Sequence, residues 1–391
     1  MSPPAAFTVS LDELLSDAPH PLWARLRETC PVVRIAGAAG ERPVFYVTTF
    51  AEADAVMRDG ETFSSTINAE SIERFMGPTM LAMDGDRHRT LRGLVSRAFR
   101  PSQLARWEGE LIRPAIDRLL DEIVPRGRAE LVAEVTSRFP VRVICGIAGV
   151  PLDDKGDFLR WTVAINRGML DPAAGVAASA AIRAYLEPIV AARRADPADD
   201  LISDIVHAEI AGRRLGDEEV FGFLRLLLTA GTESTHLELG NILHALLSDP
   251  GLFARVRADR SLVPAAVEEA IRWDVSNTMV SRAATCDTEL AGCPIPAGAA
   301  VRVLTASANR DERRFAAAGR YDPDRPPSRH LGFGTGQHQC LGMHVARLEL
   351  KVALNAVLDR LENLRLDPDF PPPAIRGFSF RGPEALHVRF G

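Results

Sequence analysis

A single thiol behind a glycine-rich loop, at the mouth of a helix with two apolar stripes, constrains this chain more than any other feature. The loop is Phe333-Gly334-Thr335-Gly336-Gln337-His338-Gln339-Cys340-Leu341-Gly342. In the helix that follows, Val345, Leu348 and Val352 share one stripe, and Leu350, Leu354, Val357 and Leu361 fill a second, which predicts a buried helix. A sulfur at its start faces unpaired backbone N–H groups and the positive end of the dipole, and both favour a thiolate. Gly334, Gly336 and Gly342 have no Cβ, so backbone can approach something flat and large.

A lone intracellular cysteine is more often a small buried hydrophobe, and a glycine-rich loop before a helix can cradle a phosphate. The phosphate reading fails because no Lys-Ser/Thr pair follows the loop and the glycines do not fall as G-x-G-x-x-G after an apolar strand. One thiolate with room for a plane points instead to axial ligation of haem iron.

The pattern Phe333-x-x-Gly336-x-His338-x-Cys340-x-Gly342 resembles the haem-binding loop of the cytochrome P450 family. Two more motifs stand in the family's order: Glu269-Ala270-Ile271-Arg272 resembles its Glu-x-x-Arg element, and Ala230-Gly231-Thr232-Glu233-Ser234-Thr235 its oxygen-activating segment. The Glu-x-x-Arg spacing alone is commonly a helix surface pair; in order with the cysteine loop it is specific. The resemblance runs from His20-Pro21-Leu22-Trp23 through Asn309-Arg310-Asp311 to the last strand. It implies a mainly α fold, an α-rich body around a buried haem with small β-sheets to one side. Periodicity agrees, with a helix over Pro21–Cys30, a strand at Val44–Val47, helices from about Ser102 to Arg272, and strands near Val280–Ala284 and Ala299–Thr305.

The 391 residues, 46% of them hydrophobic, suffice for a large core. No linker or repeat divides them, so residues 1–391 read as a single domain. Five scattered cysteines without a C-x-x-C pair fit a reducing compartment. No apolar run is seen that reaches a bilayer-spanning length, Val220–Gly231 being interrupted by Arg225, and the N-terminus lacks a signal pattern; the expectation is a cytoplasmic protein of the soluble bacterial type with no membrane partner. A net charge of −6 argues against nucleic acid. A monomer is expected.

From Arg87 to Arg106 the chain carries six arginines and His88 without an acid. Such a run is often a solvated helix face. The resemblance places His88 and Arg92 at the haem propionates, and their i, i+4 spacing puts both on one side of a helix. Arg89, Arg97, Arg100 and Arg106 would then face solvent as a dock for a ferredoxin or flavodoxin-type electron donor. Arg282 resembles a third propionate-binding residue and His338 a fourth, although a lone histidine is more often structural. Glu269, Arg272 and Phe333 take structural roles.

Leu224–Leu247 reads as one long apolar helix with Gly231, Thr232, Glu233, Ser234 and Thr235 at its centre. An interior glycine costs about 1 kcal/mol relative to alanine, and a buried unpaired carboxylate costs more. Proton delivery in a dry pocket accounts for that expense. By resemblance Glu233 and Ser234 are the acid and alcohol of the relay, Thr235 a secondary member; Ser234 departs from the family's usual threonine. The resemblance implies heme b (iron protoporphyrin IX) on Cys340, and a monooxygenase that inserts one atom of O2 into a substrate, with electrons from NAD(P)H through separate redox partners. Segments matching the family's variable walls are apolar: Ile72, Phe75, Met76, Trp161, Ile165, Met169, Leu170, Leu227, Ala230, Val275, Met279, Val280 and Phe378. An apolar small-molecule substrate follows, hydroxylation being the expected outcome. A peroxide-driven haem enzyme would replace the acid-alcohol pair with an arginine near a proline, and a haem-bearing recruitment module would have lost the relay or the ligand; Glu233-Ser234 and Cys340 argue against both.

Overall fold

The computed structural model describes every residue except 1–8, 10–12, 14–15, 36–41, 97–98, 100, 152–156, 169–170 and 211. The chain packs as two units, one made of Met1–Asn68, His244–Cys340 and Ala374–Glu384, the other of Ala69–Leu243, Leu341–Pro373 and Ala385–Gly391.

The first unit is organised by a five-stranded sheet of short, β-branched runs: β1 (Val32–Ile35), β2 (Val44–Val47), β3 (Phe63–Ser64), β4 (Val280–Ala284) and β5 (Ala300–Val303), in the order β1-β2-β5-β4-β3. β1 and β2 are antiparallel with Val33 opposite Tyr46. β5 lies parallel to β2, Val301 opposite Phe45, and antiparallel to β4, Val301 opposite Arg282. One face of this sheet joins the Phe50–Arg58 helix in a core of Phe45, Val47, Val56, Met57, Val301, Val303, Phe315 and Leu331. The strands expected near Val44, Val280 and Ala299 are therefore present, and the first helix falls at His20–Thr29, one residue earlier than its periodicity predicts. Position His20 also serves a buried charge cluster.

Asp274 sits in that cluster with His20 Nε2 at 3.2 Å, Arg310 at 3.3 Å and Arg381 at 3.0 Å. Burial alone would raise its carboxyl; the His20 hydrogen bond and the two guanidiniums prevail and hold it well below the usual carboxylate range. Burial lowers the pKa of His20 despite this partner, so at neutral pH the arginines supply the charge and His20 a neutral contact. A carboxylate depressed in the folded state stabilises it above the unfolded pKa, and that contribution fades as pH falls through the folded value. Asp274→Asn is expected to lose about 3 kcal/mol at pH 7 and to unfold with a flatter pH dependence below about pH 4, measured by urea titration across that range.

The second unit is helical. Its amphipathic helices bury their apolar sides, as Arg113–Ile123 does with Ile116, Leu119, Leu120 and Ile123. Phe139–Ala148 is buried nearly throughout. Met343–Arg360 buries Val345, Leu350, Val352, Leu354 and Val357 as expected, together with an unforeseen Glu349 whose carboxyl burial raises well above its ordinary pKa. A three-stranded sheet of Arg365–Leu366, His387–Arg389 and Arg128–Glu130 completes the unit.

Two expectations need correction. The apolar segment at 224–247 is two helices, Asp217–Ala230 and Glu233–Leu247, broken at Gly231-Thr232. Thr232 turns its N–H and its hydroxyl to the carbonyl of Thr229, at 3.3 and 3.0 Å, which tightens the turn, and the ladder resumes with His236 N–H on Thr232. A hydroxyl competing for backbone carbonyls explains the break. Second, the Pro172–Ala195 helix is long and apolar enough by length and composition to cross a membrane, its apolar window being 33% buried. It escapes a search for long aliphatic runs because small alanines supply its hydropathy, and it carries Arg183 and Glu187, bonded at 3.4 Å.

Candidate active site

The expected site residues divide between the units. In the first, the cysteine loop is fixed by its own backbone: Gly334 N–H bonds Leu331 O at 2.9 Å, Gln339 N–H bonds Gly336 O at 3.1 Å, and Cys340 N–H bonds Phe333 O at 2.8 Å. Gly336 has φ +72°, and a Cβ there would stand 2.3 Å from the carbonyl oxygen of Met57, so only glycine lets the loop seat against the Phe50–Arg58 helix. His338 ends the tight turn Gly336–His338. The loop therefore presents Cys340 with an exposed thiol, three residues before the Met343–Arg360 helix.

The Glu-x-x-Arg element underlies this loop. Arg272 grips Glu269 with two bonds of 2.7 Å and donates to the carbonyls of Asn309 (2.9 Å), Ala318 (2.9 Å) and Arg320 (3.0 Å). Asn309 in turn accepts Leu331 N–H on Oδ1 at 2.7 Å, so a continuous chain of bonds runs from Glu269 to Leu331, two residues before the loop. Arg282 is buried on β4. Of the expected wall residues in this unit, Val275 is buried, whereas Met279, Val280 and Phe378 are partly open.

In the second unit, the break at Gly231-Thr232 places Glu233 in the first turn of its helix, where the dipole favours an acid. Its carboxyl is largely enclosed, and burial raises its pKa against the lowering effect of Asn166. Asn166 Nδ2–H donates to Glu233 Oε2 at 2.9 Å. Sequence reading missed this residue, since nothing in one asparagine 67 positions away marks it as a partner. Ser234 Oγ donates to Ala230 O at 3.0 Å, and Thr235 is buried. One residue on, His236 shares a 2.9 Å bond with Thr136, and burial pushes its pKa down to about 4, leaving it neutral at pH 7.

His88 is 1% exposed and Arg92 partly buried, both on the Gly85–Ser96 helix. Of the arginines expected to face solvent, Arg89 does and Arg106 is partly buried, and neither is bare: Arg89 pairs with Asp86, and Arg106 pairs with Asp199 and lies 3.8 Å from Glu110, while the neighbouring Arg87 meets Glu219 at 3.6 Å. Arg97, Arg100, Met169 and Leu170 lie outside the described residues. Leu227 and Ala230 are the open positions of an otherwise buried helical segment. Ile72 and Trp161 are partly open, while Ile165, Phe75 and Met76 are buried. Phe75 is packed so closely that a Cβ on Gly168 or Gly175 would come within 3.0 Å of its ring.

The residues present fit a haem. A sulfur donor stands exposed on a braced loop, and among the described residues no atom lies within 4 Å of where a Cβ of Gly342 would be. Comparison with known proteins agrees. The cytochrome P450 family profile matches residues 7–381. The cytochrome P450 monooxygenase PikC of Streptomyces venezuelae is 34% identical over 407 aligned positions, covering 100% of this chain and 95% of that protein. The mycinamicin IV hydroxylase/epoxidase of Micromonospora griseorubida is 35% identical, with 94% of each chain covered. Among solved structures, CYP108D1 from Novosphingobium aromaticivorans superimposes with a TM-score of 0.87 at 31% identity, covering 97% of both chains. P450BioI, solved in complex with an acyl carrier protein ligated to hexadec-9Z-enoic acid, gives 0.87 at 29% identity, covering 96% of this chain and 99% of that one. The chain belongs to the cytochrome P450 family and is a P450 monooxygenase, with the haem cofactor that the family implies.

Proposed function

We propose that the chain, acting as one catalytic domain, hydroxylates an apolar small molecule with heme b held through the Cys340 thiolate. The observation that carries this reading is the braced loop that leaves the Cys340 sulfur exposed; a largely enclosed acid carboxyl, Glu233, at a helix break supports it. When bound, the haem supplies dioxygen activation, and a thiolate ligand favours O–O cleavage. The protein's residues do the rest. Arg282, His338, His88 and Arg92 offset the two propionate charges. Glu233 and Ser234 hold and pass protons at the carboxyl and hydroxyl oxygens, with Thr235 beside them, and burial raises the pKa of Glu233, which favours its proton-bearing form. Leu227, Ala230, Ile72, Trp161, Met279, Val280 and Phe378 present apolar surface to the substrate and keep water out.

Electrons come from NAD(P)H through a ferredoxin or flavodoxin-type protein. Since Arg89 and Arg106 already hold acids, an acidic partner docking there exchanges ion pairs rather than meeting free charges. A cytoplasmic monomer is the form proposed. Support for a secondary-metabolite substrate comes from the relatives, whose names include a mycinamicin hydroxylase/epoxidase.

The test is the carbon monoxide difference spectrum of the dithionite-reduced protein, followed by coupling in Ser234→Ala. A strongly red-shifted Soret band is expected, and in the variant, unchanged haem content with reducing equivalents diverted to hydrogen peroxide. A folded protein lacking that band would overturn the haem-thiolate reading; unaltered coupling would remove Ser234 from the relay.

A further inference from the structure

The acid of the relay is held by a side chain from a different helix. Asn166 closes the Asp157–Asn166 helix, and its amide N–H meets Glu233 Oε2 at 2.9 Å. Three influences act on that carboxyl. Burial disfavours its ionised form and prevails; the Asn166 hydrogen bond and the charge of the adjacent Arg167 favour it. The neighbouring segments also carry Arg142 on Phe139–Ala148, Glu134 near the Thr136–His236 bond, and Arg225 on Asp217–Ala230, but among the described residues only Arg167 acts electrostatically on Glu233. His236, one turn further on, is neutral.

We infer that Asn166 is a positioning residue for proton delivery: its amide fixes the orientation of the Glu233 carboxyl and supports its ionised state. The inference rests on the relay reading of Glu233. The same helix carries Trp161 and the buried Ile165, next to Asn166, both assigned to the substrate wall. A hydrogen bond of this kind lowers a carboxyl pKa, so its loss shifts the titration of Glu233 to higher pH.

The experiment uses the haem-loaded protein with a surrogate ferredoxin and its reductase. Infrared difference spectra are recorded against pH, and the carbonyl stretch of protonated Glu233 is assigned as the band absent from Glu233→Gln. Peroxide released per NADPH consumed is measured in parallel. In Asn166→Ala the band is expected to move to higher frequency, its titration midpoint to rise by about one unit, and the pH profile of peroxide leakage to shift with it. Asn166→Gln keeps an amide donor and is expected to move the midpoint back. Asn166→Asp, nearly isosteric, replaces the donor with a second acid and is expected to raise the midpoint further; it serves where alanine disturbs the helix end. An unmoved band and midpoint in Asn166→Ala and Asn166→Asp, in a protein whose Glu233→Gln variant loses coupling, would overturn the role of Asn166 and leave the relay standing. Normal coupling in Glu233→Gln would instead overturn the relay, and the inference with it.

Discussion

Cys340→Ser is expected to abolish oxygenase turnover while leaving the fold intact. The two consequences separate because of where the residue sits. Its thiol is exposed, and its backbone N–H, which closes the loop on Phe333 O at 2.8 Å, is common to every amino acid except proline. The substitution exchanges sulfur for oxygen at an exposed position and leaves that backbone bond in place, and the unfolding free energy is expected to stay within about 1 kcal/mol of the parent. What is lost is the soft, negatively charged donor. A serine hydroxyl does not ionise near neutrality, and iron held without a thiolate loses the electron release that favours O–O cleavage. Cys340→His sharpens the test, because it keeps a ligand but a neutral one. The expected results are turnover at background in both variants, a blue-shifted carbon monoxide band wherever haem is retained, and unchanged far-ultraviolet circular dichroism. A Cys340→Ser protein with full turnover would remove the sulfur from the mechanism.

The legibility of this site in the sequence follows the range of the interactions that build it. Cys340 is readable because a donor just before a helix is written within ten residues, whereas Gly334 and Gly336 read only as room for something flat, and neither their left-handed turns nor the seat of Gly336 against Met57 shows in the sequence. Glu269 and Arg272 are readable as a pair for the same reason, their i, i+3 spacing already allowing the two 2.7 Å bonds. The target of that pair was not readable. Arg272 spends its remaining donors on carbonyls 37 to 48 positions away, and any residue type can supply a carbonyl. Asn166 was invisible on the same grounds, a lone polar residue at a helix end whose partner is set by tertiary packing. The helix break at Gly231-Thr232 was hidden for a different reason. Flanking leucines keep the apolar period on both sides, so periodicity sees one helix, and the interruption comes from a single hydroxyl competing for the Thr229 carbonyl. Similarly, the six arginines around His88 read as a bare basic run because Glu219 and Asp199, which meet two of them, lie far along the chain.

Arg272→Ala is expected to be the most destabilising of the single substitutions considered, at about 3–5 kcal/mol. The guanidinium is 2% exposed and satisfies five acceptors: both oxygens of Glu269 and the carbonyls of Asn309, Ala318 and Arg320. Removing it leaves Glu269 buried with Arg325 at 3.1 Å and the backbone N–H of Asp322 at 2.9 Å, which is incomplete compensation. Buried ion pairs are often replaceable by apolar residues of similar size at little cost, so the double variant Glu269→Leu with Arg272→Met discriminates between two accounts. If the element were only an ion pair, the double variant would recover most of the lost stability. Here the carbonyls of Asn309 and Ala318 remain buried without their Arg272 donor, each at a cost of about 1–3 kcal/mol, while that of Arg320 keeps Arg325 at 3.3 Å, so little recovery is expected. Arg272→Lys keeps the charge but not the planar fork, and one ammonium cannot reach all five acceptors; an intermediate loss is expected. Urea midpoints for the four proteins check the order parent, Lys, double, Ala, and a single-variant loss below about 1 kcal/mol would refute the network. Haem retention supplies the link to function. The route from Arg272 through Asn309 to Leu331 ends two residues before Phe333, so the cysteine loop is expected to loosen before the rest of the fold, with the thiolate-type carbon monoxide band fading at urea concentrations where helical signal persists.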